Sequence, residues 1–216
     1  MNHRILAAAA VSVLVAGLVM AFGVAPREVT QGNVQRIMYV HVPAILIGYL
    51  AFTVVLVASV AYLVGRGESA DRLAHASAEV GVVFTGINIA TGAIWGKSTW
   101  GTWWTWDARL TSVAIMFVMY LGYLLLRGML EDRERAARFA AVMGIVAALD
   151  IPLVHFSVYW WRTLHQPPTM LKPGAAALAP AFAGALAVNV VAFALLYTYL
   201  VLKRIHVLRL EQEVLA

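Results

Sequence analysis

Residues 100–107 read WGTWWTWD and place four of the chain's seven tryptophans within seven residues. Flat indole faces can stack on a planar aromatic ligand while a few fixed polar groups orient it. Tryptophan is also common where a membrane protein meets the bilayer surface. Because the other three, Trp95, Trp160 and Trp161, belong to the same predicted membrane face, the pattern favours a platform for a planar macrocycle over an interfacial belt.

The spacing of this segment allows a helix but does not require one. Trp100, Trp103, Trp104 and Asp107 follow an i, i+3, i+4, i+7 pattern, so a helix would present them on one face. The intervening glycine and threonines are poor helix formers, so such a helix would need support from the membrane surface or from a ligand. The sequence predicts either an interfacial loop or a short helix.

The histidines add metal-binding chemistry to this face. Three of the six lie near it in the predicted topology: His41, His155 and His165. Neutral imidazole is the commonest metal ligand in proteins, and a porphyrin iron takes axial imidazoles. A hydrogen-bonded or exposed side chain is the more ordinary role for any single histidine. Two histidines beside a tryptophan platform favour a porphyrin.

Cations on the same face suit the carboxylates that a porphyrin carries. They are Arg36, Lys97, Arg109 and Arg162. The planar guanidinium fork of arginine matches a carboxylate. Pairing with Asp107 is the alternative for any of them, and the sequence does not separate the two.

Apolar stretches of about 20 residues predict the elements that position these groups. Six stretches qualify or nearly qualify: 5–24, 41–64, 78–96, 110–127, 138–157 and 177–202. The loops after the first, third and fifth must lie on one side of the membrane. Those three loops carry the approach to His41, the tryptophan segment and the sequence around His165, so residues far apart in the chain are predicted to meet.

Composition supports an all-α integral membrane protein with one six-helix domain over 1–216. Hydrophobic residues make up 62% of the chain and charged residues only 12%, against about half and about a quarter in soluble domains. The absence of cysteine excludes disulfides, thiolate metal sites and covalent haem attachment through this chain's own thiols. Ten of the sixteen Lys and Arg residues fall in the even-numbered loops and termini, which predicts cytoplasmic termini. The net charge of +5 is therefore attributed to helix ends in contact with lipid and not to nucleic-acid binding.

The motifs of this face are similar to those of a known family. WGKSTWGTWWTWDARLTS resembles the WWD signature of haem-handling proteins in cytochrome c biogenesis, and YVHVPA and WWRTLHQ resemble the CcmC type of bacterial cytochrome c maturation. The motifs lie between Gly32 and Gln166, and the six-helix layout covers the whole chain. Other branches of the superfamily have more helices and a different sequence after the WD pair.

The resemblance implies non-covalent haem b bound at the periplasmic face of the bacterial inner membrane and delivered to the haem chaperone CcmE. It implies CcmA and CcmB, an ABC transporter pair, and the small protein CcmD as further partners. By motif, His41 and His165 fall on the axial ligands. The expected contacts to the rest of the haem are Trp95, Trp100, Trp103, Trp104, Trp106, Asp107, Arg36 and Arg109.

Three function classes remain, and haem delivery is favoured. No nucleophile or general base is visible, so no catalytic residue is expected. The alternatives are a haem lyase or redox protein of the wider superfamily, and a haem permease. A redox protein would more often hold haem within paired membrane helices, whereas these histidines are in or beside predicted loops. The mid-membrane polar residues Asn88, Asp150 and Asn189 are too scattered to predict a permeation path, and no role is assigned to Asp150 or His155.

Overall fold

The computed structural model describes residues 3–65, 67–167, 171–172, 174 and 178–214. The helices in chain order are α1 (His3–Val19, continued by a π-helical turn over Met20–Val24), a 3₁₀ turn over Val34–Ile37, α2 (Met38–Gly65), α3 (Glu68–Trp100), α4 (Ala108–Met129), α5 (Arg133–Ala148), α6 (Asp150–Trp160) and α7 (Pro180–Val214). Among the described residues, six helical stretches are long and apolar enough to cross a membrane, α5 and α6 together forming the fifth. The predicted all-α membrane fold is confirmed.

Several helices extend beyond their predicted spans because hydropathy detects the apolar part alone. α3 begins at Glu68 instead of residue 78, and α7 continues to Val214 instead of residue 202. An ion pair involves each extension. Asp71, in the added part of α3, binds Arg127 of α4 at 2.6 Å, and Arg204, in the added part of α7, pairs with Glu79. These polar turns join the helices at the end of the bundle opposite the tryptophan segment.

The helix α2 packs against α3, α5 and α7 and is buried on most sides. Its Phe52 stacks on Tyr120 of α4 with ring centroids 3.5 Å apart. A Cβ atom at Gly81 of α3 would lie 2.7 Å from the Phe52 ring, so glycine is what lets the two helices approach. This packing fixes the N-terminal part of α2, which carries His41.

The fifth span is broken between α5 and α6 at Leu149. Pro152 lacks an N–H, so it cannot donate to the carbonyl four residues earlier. The series of helical backbone hydrogen bonds is therefore interrupted there. α6 packs against α4 and ends at Trp160, after which Trp161 adopts an extended conformation. The break therefore directs α6 and residues 161–167 toward the end of the bundle where α2 begins.

Candidate functional site

A large cleft lies where the beginning of α2, the end of α3, the beginning of α4 and residues 164–167 meet. Its cavity volume is about 180 Å³, and the space within it reaches about 1330 Å³ when the open mouth is included. Six of the predicted site residues line it: His41, Trp95, Trp100, Trp104, Arg109 and His165. Three segments distant in sequence are thus brought together at one end of the bundle.

The tryptophan segment is a loop, so the helical alternative was wrong. Trp100 is the last residue of α3, and Gly101 ends that helix with φ of 76° in the left-handed region, where glycine carries no steric penalty. Residues 102–106 are not helical, and Asp107 caps α4. The helical spacing is broken by the glycine, so Trp100 and Trp104 face the cleft from two different elements.

His41 is a helical residue whose ring is wedged against α3. The helical stretch begins at Val34, earlier than predicted, because the polar 3₁₀ turn before α2 is invisible to hydropathy. The His41 Nδ1 atom lies 3.0 Å from the carbonyl oxygen of Asn88 and 3.2 Å from the Thr91 hydroxyl. Donation from Nδ1 to a carbonyl selects the tautomer that leaves a lone pair on Nε2.

Two residues of α3 complete the support of His41. The Asn88 amide nitrogen donates to the His41 carbonyl at 3.1 Å and lies 3.2 Å from each of the two ring nitrogens of His41. A Cβ atom at Gly92 would lie 2.9 Å from His41 Cε1, so glycine leaves the room that the imidazole occupies. Asn88 was a scattered polar residue by sequence, and only the helix pairing reveals its contact with the site.

His165 is held by a short loop instead of a helix. Its backbone N–H donates to the Thr163 hydroxyl at 3.0 Å, and its Nδ1 atom lies 3.3 Å from the Gln166 carbonyl oxygen. Packing around the half-buried ring lowers the pKa of His165 to about 4, and the nearby Arg109 contributes in the same direction. The imidazole is therefore neutral at pH 7, which is the form that binds metals.

The two imidazole rings lie close to one another in the cleft. Their ring centroids are 6.4 Å apart and their planes differ by 23°. Each is flanked edge-on by one tryptophan, His41 by Trp95 at 5.7 Å and His165 by Trp100 at 5.8 Å. Trp95 is itself fixed because its Nε1 donates to Gln31 at 2.8 Å.

Polar groups without partners lie around the same cleft. The hydroxyl of Tyr49 and the Nε1 of Trp104 are buried with no hydrogen-bond partner among the described residues, and both side chains line the cleft. Arg109 also lines it, and its contact is the His155 carbonyl at 3.5 Å. In the described part of the chain no carboxylate pairs with Arg109. These groups suit a ligand that is mostly apolar and carries oxygen acceptors.

The other predicted residues lie away from the cleft lining. The Arg36 guanidinium donates to the carbonyl oxygens of Phe22 and Ala25, so it ties the end of the first helical stretch to the turn before α2. Trp103 and Trp106 are 57% and 82% exposed. Asp107 uses its carboxylate on backbone N–H groups.

His155 and Tyr49 line the cleft, although neither was predicted to have a role in the site. Their rings meet edge-to-face at 6.2 Å, and the His155 Nε2 atom lies 2.9 Å from the Leu171 carbonyl oxygen. Tyr49 stands two turns after His41 on the same helix, and that spacing was the available signal. The buried Asp150 has one carboxylate oxygen without a partner among the described residues.

Comparison with known proteins gives a consistent result over almost the whole chain. The family model described as CcmC, heme exporter protein C, matches residues 2–216. A protein named heme exporter protein C from Bradyrhizobium diazoefficiens is 42% identical over 210 residues, covering 97% of this chain and 78% of that protein. The protein of the same name from Escherichia coli is 39% identical over 208 residues, covering 96% and 84%. A putative cytochrome c biosynthesis ccmC-like mitochondrial protein of Marchantia polymorpha is 39% identical over 155 residues, covering 72% and 65%.

Proposed function

The chain belongs to the heme exporter protein C family, and from that premise we propose that its cleft binds haem b non-covalently for delivery to the chaperone CcmE. Haem is the cargo of this protein and not a catalytic cofactor. The proposed role is therefore binding and presentation, without a catalytic residue.

The observation that carries the proposal is the pairing of His41 and His165. A metal binds an imidazole nitrogen at about 2 Å. Two imidazoles that bind one ion from opposite sides through a ring nitrogen therefore have centroids roughly 6 Å apart. The observed separation is 6.4 Å. The spacing supports both histidines as axial ligands, with the macrocycle lying between the α2 side and the loop side of the cleft.

The remaining groups suit the periphery of a porphyrin. Trp95, Trp100 and Trp104 supply apolar walls, and aromatic contacts with specific geometry add to simple burial. We assign a propionate to Arg109, whose guanidinium is accessible from the cleft and suits a carboxylate. The Tyr49 hydroxyl, which has no partner among the described residues, is a second donor lining the cleft.

The two exposed tryptophans, Trp103 and Trp106, suit contact with a partner that receives the haem. Trp103 and Trp106 point away from the cleft lining and leave apolar surface beside its mouth. We assign this surface to contact with CcmE or with lipid at the periplasmic face. CcmA, CcmB and CcmD are the proposed further partners in the bacterial inner membrane, and both termini are placed in the cytoplasm.

The test is the visible and electron paramagnetic resonance spectra of the purified protein with bound haem. We expect a six-coordinate, low-spin, two-imidazole signature. His41→Ala and His165→Ala should each convert it to a one-imidazole form and reduce delivery to CcmE. His206→Ala is the control, since that exposed histidine lies on α7 outside the cleft lining.

Wild-type spectra from both ligand variants would exclude the assignment of His41 and His165. A two-imidazole spectrum without co-purification of CcmE would keep the haem site and exclude the delivery partner.

A further inference from the structure

Asp107 joins two segments of the cleft through one carboxylate. Its Oδ1 atom accepts from the backbone N–H of Leu110 at 2.9 Å and so caps α4. Its Oδ2 atom accepts from the backbone N–H of Leu164 at 3.2 Å. The Thr105 hydroxyl lies 3.4 Å from the same oxygen. The carboxylate therefore connects the tryptophan loop, α4 and residues 161–167.

The contact with Leu164 matters because His165 is the next residue. The other hydrogen bonds of residues 162–167 remain within that loop: those of Thr163 with His165, and of His165 with Gln166. Among the described residues, Asp107 thus supplies the hydrogen bond that holds this loop to the helical bundle. A hydrogen bond to an ionised acceptor is stronger than one between neutral groups.

We propose that Asp107 is a positioning residue that orients His165 toward His41, and that it does so without contacting haem. The inference rests on the proposed function, in which His165 is a haem ligand. Asp107 is not among the residues that line the cleft, and both of its carboxylate oxygens already accept from backbone N–H groups of residues that do line it. The aspartate that ends the tryptophan segment is then required because a carboxylate can accept from two directions at once.

Two variants separate the capping of α4 by Asp107 from its hydrogen bond to the Leu164 loop. In Asp107→Asn, one oxygen can still cap α4, but the amide NH₂ then faces the Leu164 N–H and cannot accept from it. In Asp107→Ser, the hydroxyl can cap α4 and is too short to serve both segments. Asp132→Asn is the matched control, because Asp132 caps α5 through the N–H groups of Glu134 and Arg135 in a different loop.

The experiment measures the spectra and the haem content of each purified protein. We expect Asp107→Asn and Asp107→Ser to shift the balance from two-imidazole to one-imidazole haem by about tenfold, the effect of losing one hydrogen bond to a charged group. Free imidazole should restore the six-coordinate spectrum in both, because the iron and its site remain. Asp132→Asn should keep the wild-type spectrum.

A wild-type spectrum in Asp107→Asn with unchanged haem content would overturn the positioning role. Complete loss of haem in Asp107→Asn, with His165→Ala still retaining it and with an unchanged melting temperature, would also overturn it by indicating direct contact with haem. A wild-type spectrum in His165→Ala would instead reject the ligand assignment of the proposed function, so the two failures are distinguishable.

Discussion

The two halves of the cleft hold their histidines by different means. His41 is embedded in α2, is 9% exposed, and meets Asn88 and Thr91 of α3. His165 belongs to a loop whose contacts are mostly local, with Asp107 as its link to α4. Helical packing fixes a side chain through many simultaneous contacts, whereas a loop depends on a few hydrogen bonds. One half therefore holds its histidine as a fixed wall, and the other, which depends on a few hydrogen bonds, is the more adjustable wall.

The largest expected effect comes from exchanging the two histidines for alanine in the haem-free protein. His41→Ala removes a buried, hydrogen-bonded ring and leaves a cavity between α2 and α3, so we expect a loss of about 2–4 kcal/mol in stability. His165→Ala should cost under about 1 kcal/mol, because its loop does not support the bundle. Thermal unfolding in detergent measures both. Equal losses would contradict the contrast between a fixed and an adjustable half.

A methyl group added beneath His41 tests the fixed half without removing the ligand. In Gly92→Ala the new Cβ atom would lie 2.9 Å from His41 Cε1, so the ring must shift, at a cost of about 1–3 kcal/mol. We expect a weakened two-imidazole signal in the haem spectrum. Gly184→Ala on α7 is the control, since nothing lies within 4 Å of its added Cβ. An unchanged spectrum in Gly92→Ala would show that the residues around His41 adjust to the added methyl group, and it would contradict a fixed half.

Arg109 lies beside the adjustable half, and its removal tests which half recognises the porphyrin carboxylates. We expect Arg109→Ala to weaken haem binding about tenfold, because a hydrogen bond to a charged group is lost. Haem dimethyl ester, which lacks the carboxylates, should bind wild type and variant alike. Titration of purified protein with both porphyrins gives the answer. An equal loss for the ester would assign Arg109 to packing instead.

The smallest effects should separate the two central tryptophans. Trp104 lines the cleft and Trp103 is 57% exposed. Trp104→Ala should weaken the free energy of haem binding by about 1 kcal/mol, the lower end of the range for one aromatic stack. Trp103→Ala should leave haem content nearly unchanged and reduce co-purification of CcmE. The two residues are adjacent in the same loop, so each variant is the control for the other. Reversed effects would exchange their roles.

The sequence by itself determined the class of the protein and which distant segments meet at one end of the bundle. Apolar stretches long enough to cross a bilayer predict the six spans because the membrane interior admits few alternatives to helices. The loops after the first, third and fifth spans must lie on the same side of the membrane. This brings His41, the tryptophan loop and His165 to one end of the bundle in either orientation of the protein. The predicted bounds were shorter than the helices because polar terminal turns, such as the one at Glu68, are stabilised by ion pairs that hydropathy does not register.

Tertiary structure alone decided how the individual side chains are used. The repeat of Trp100, Trp103, Trp104 and Asp107 matches a helix, but Gly101 ends α3 in the left-handed region and the remainder is a loop. Arg36 binds backbone carbonyls, and Asp107 accepts from two segments separated by more than fifty positions. Asn88 reaches His41 because α2 and α3 pack together there, and the glycine at 92 leaves room for the imidazole. Such pairings depend on distances between elements that are remote in the chain, and a periodic pattern within one element contains no information about them.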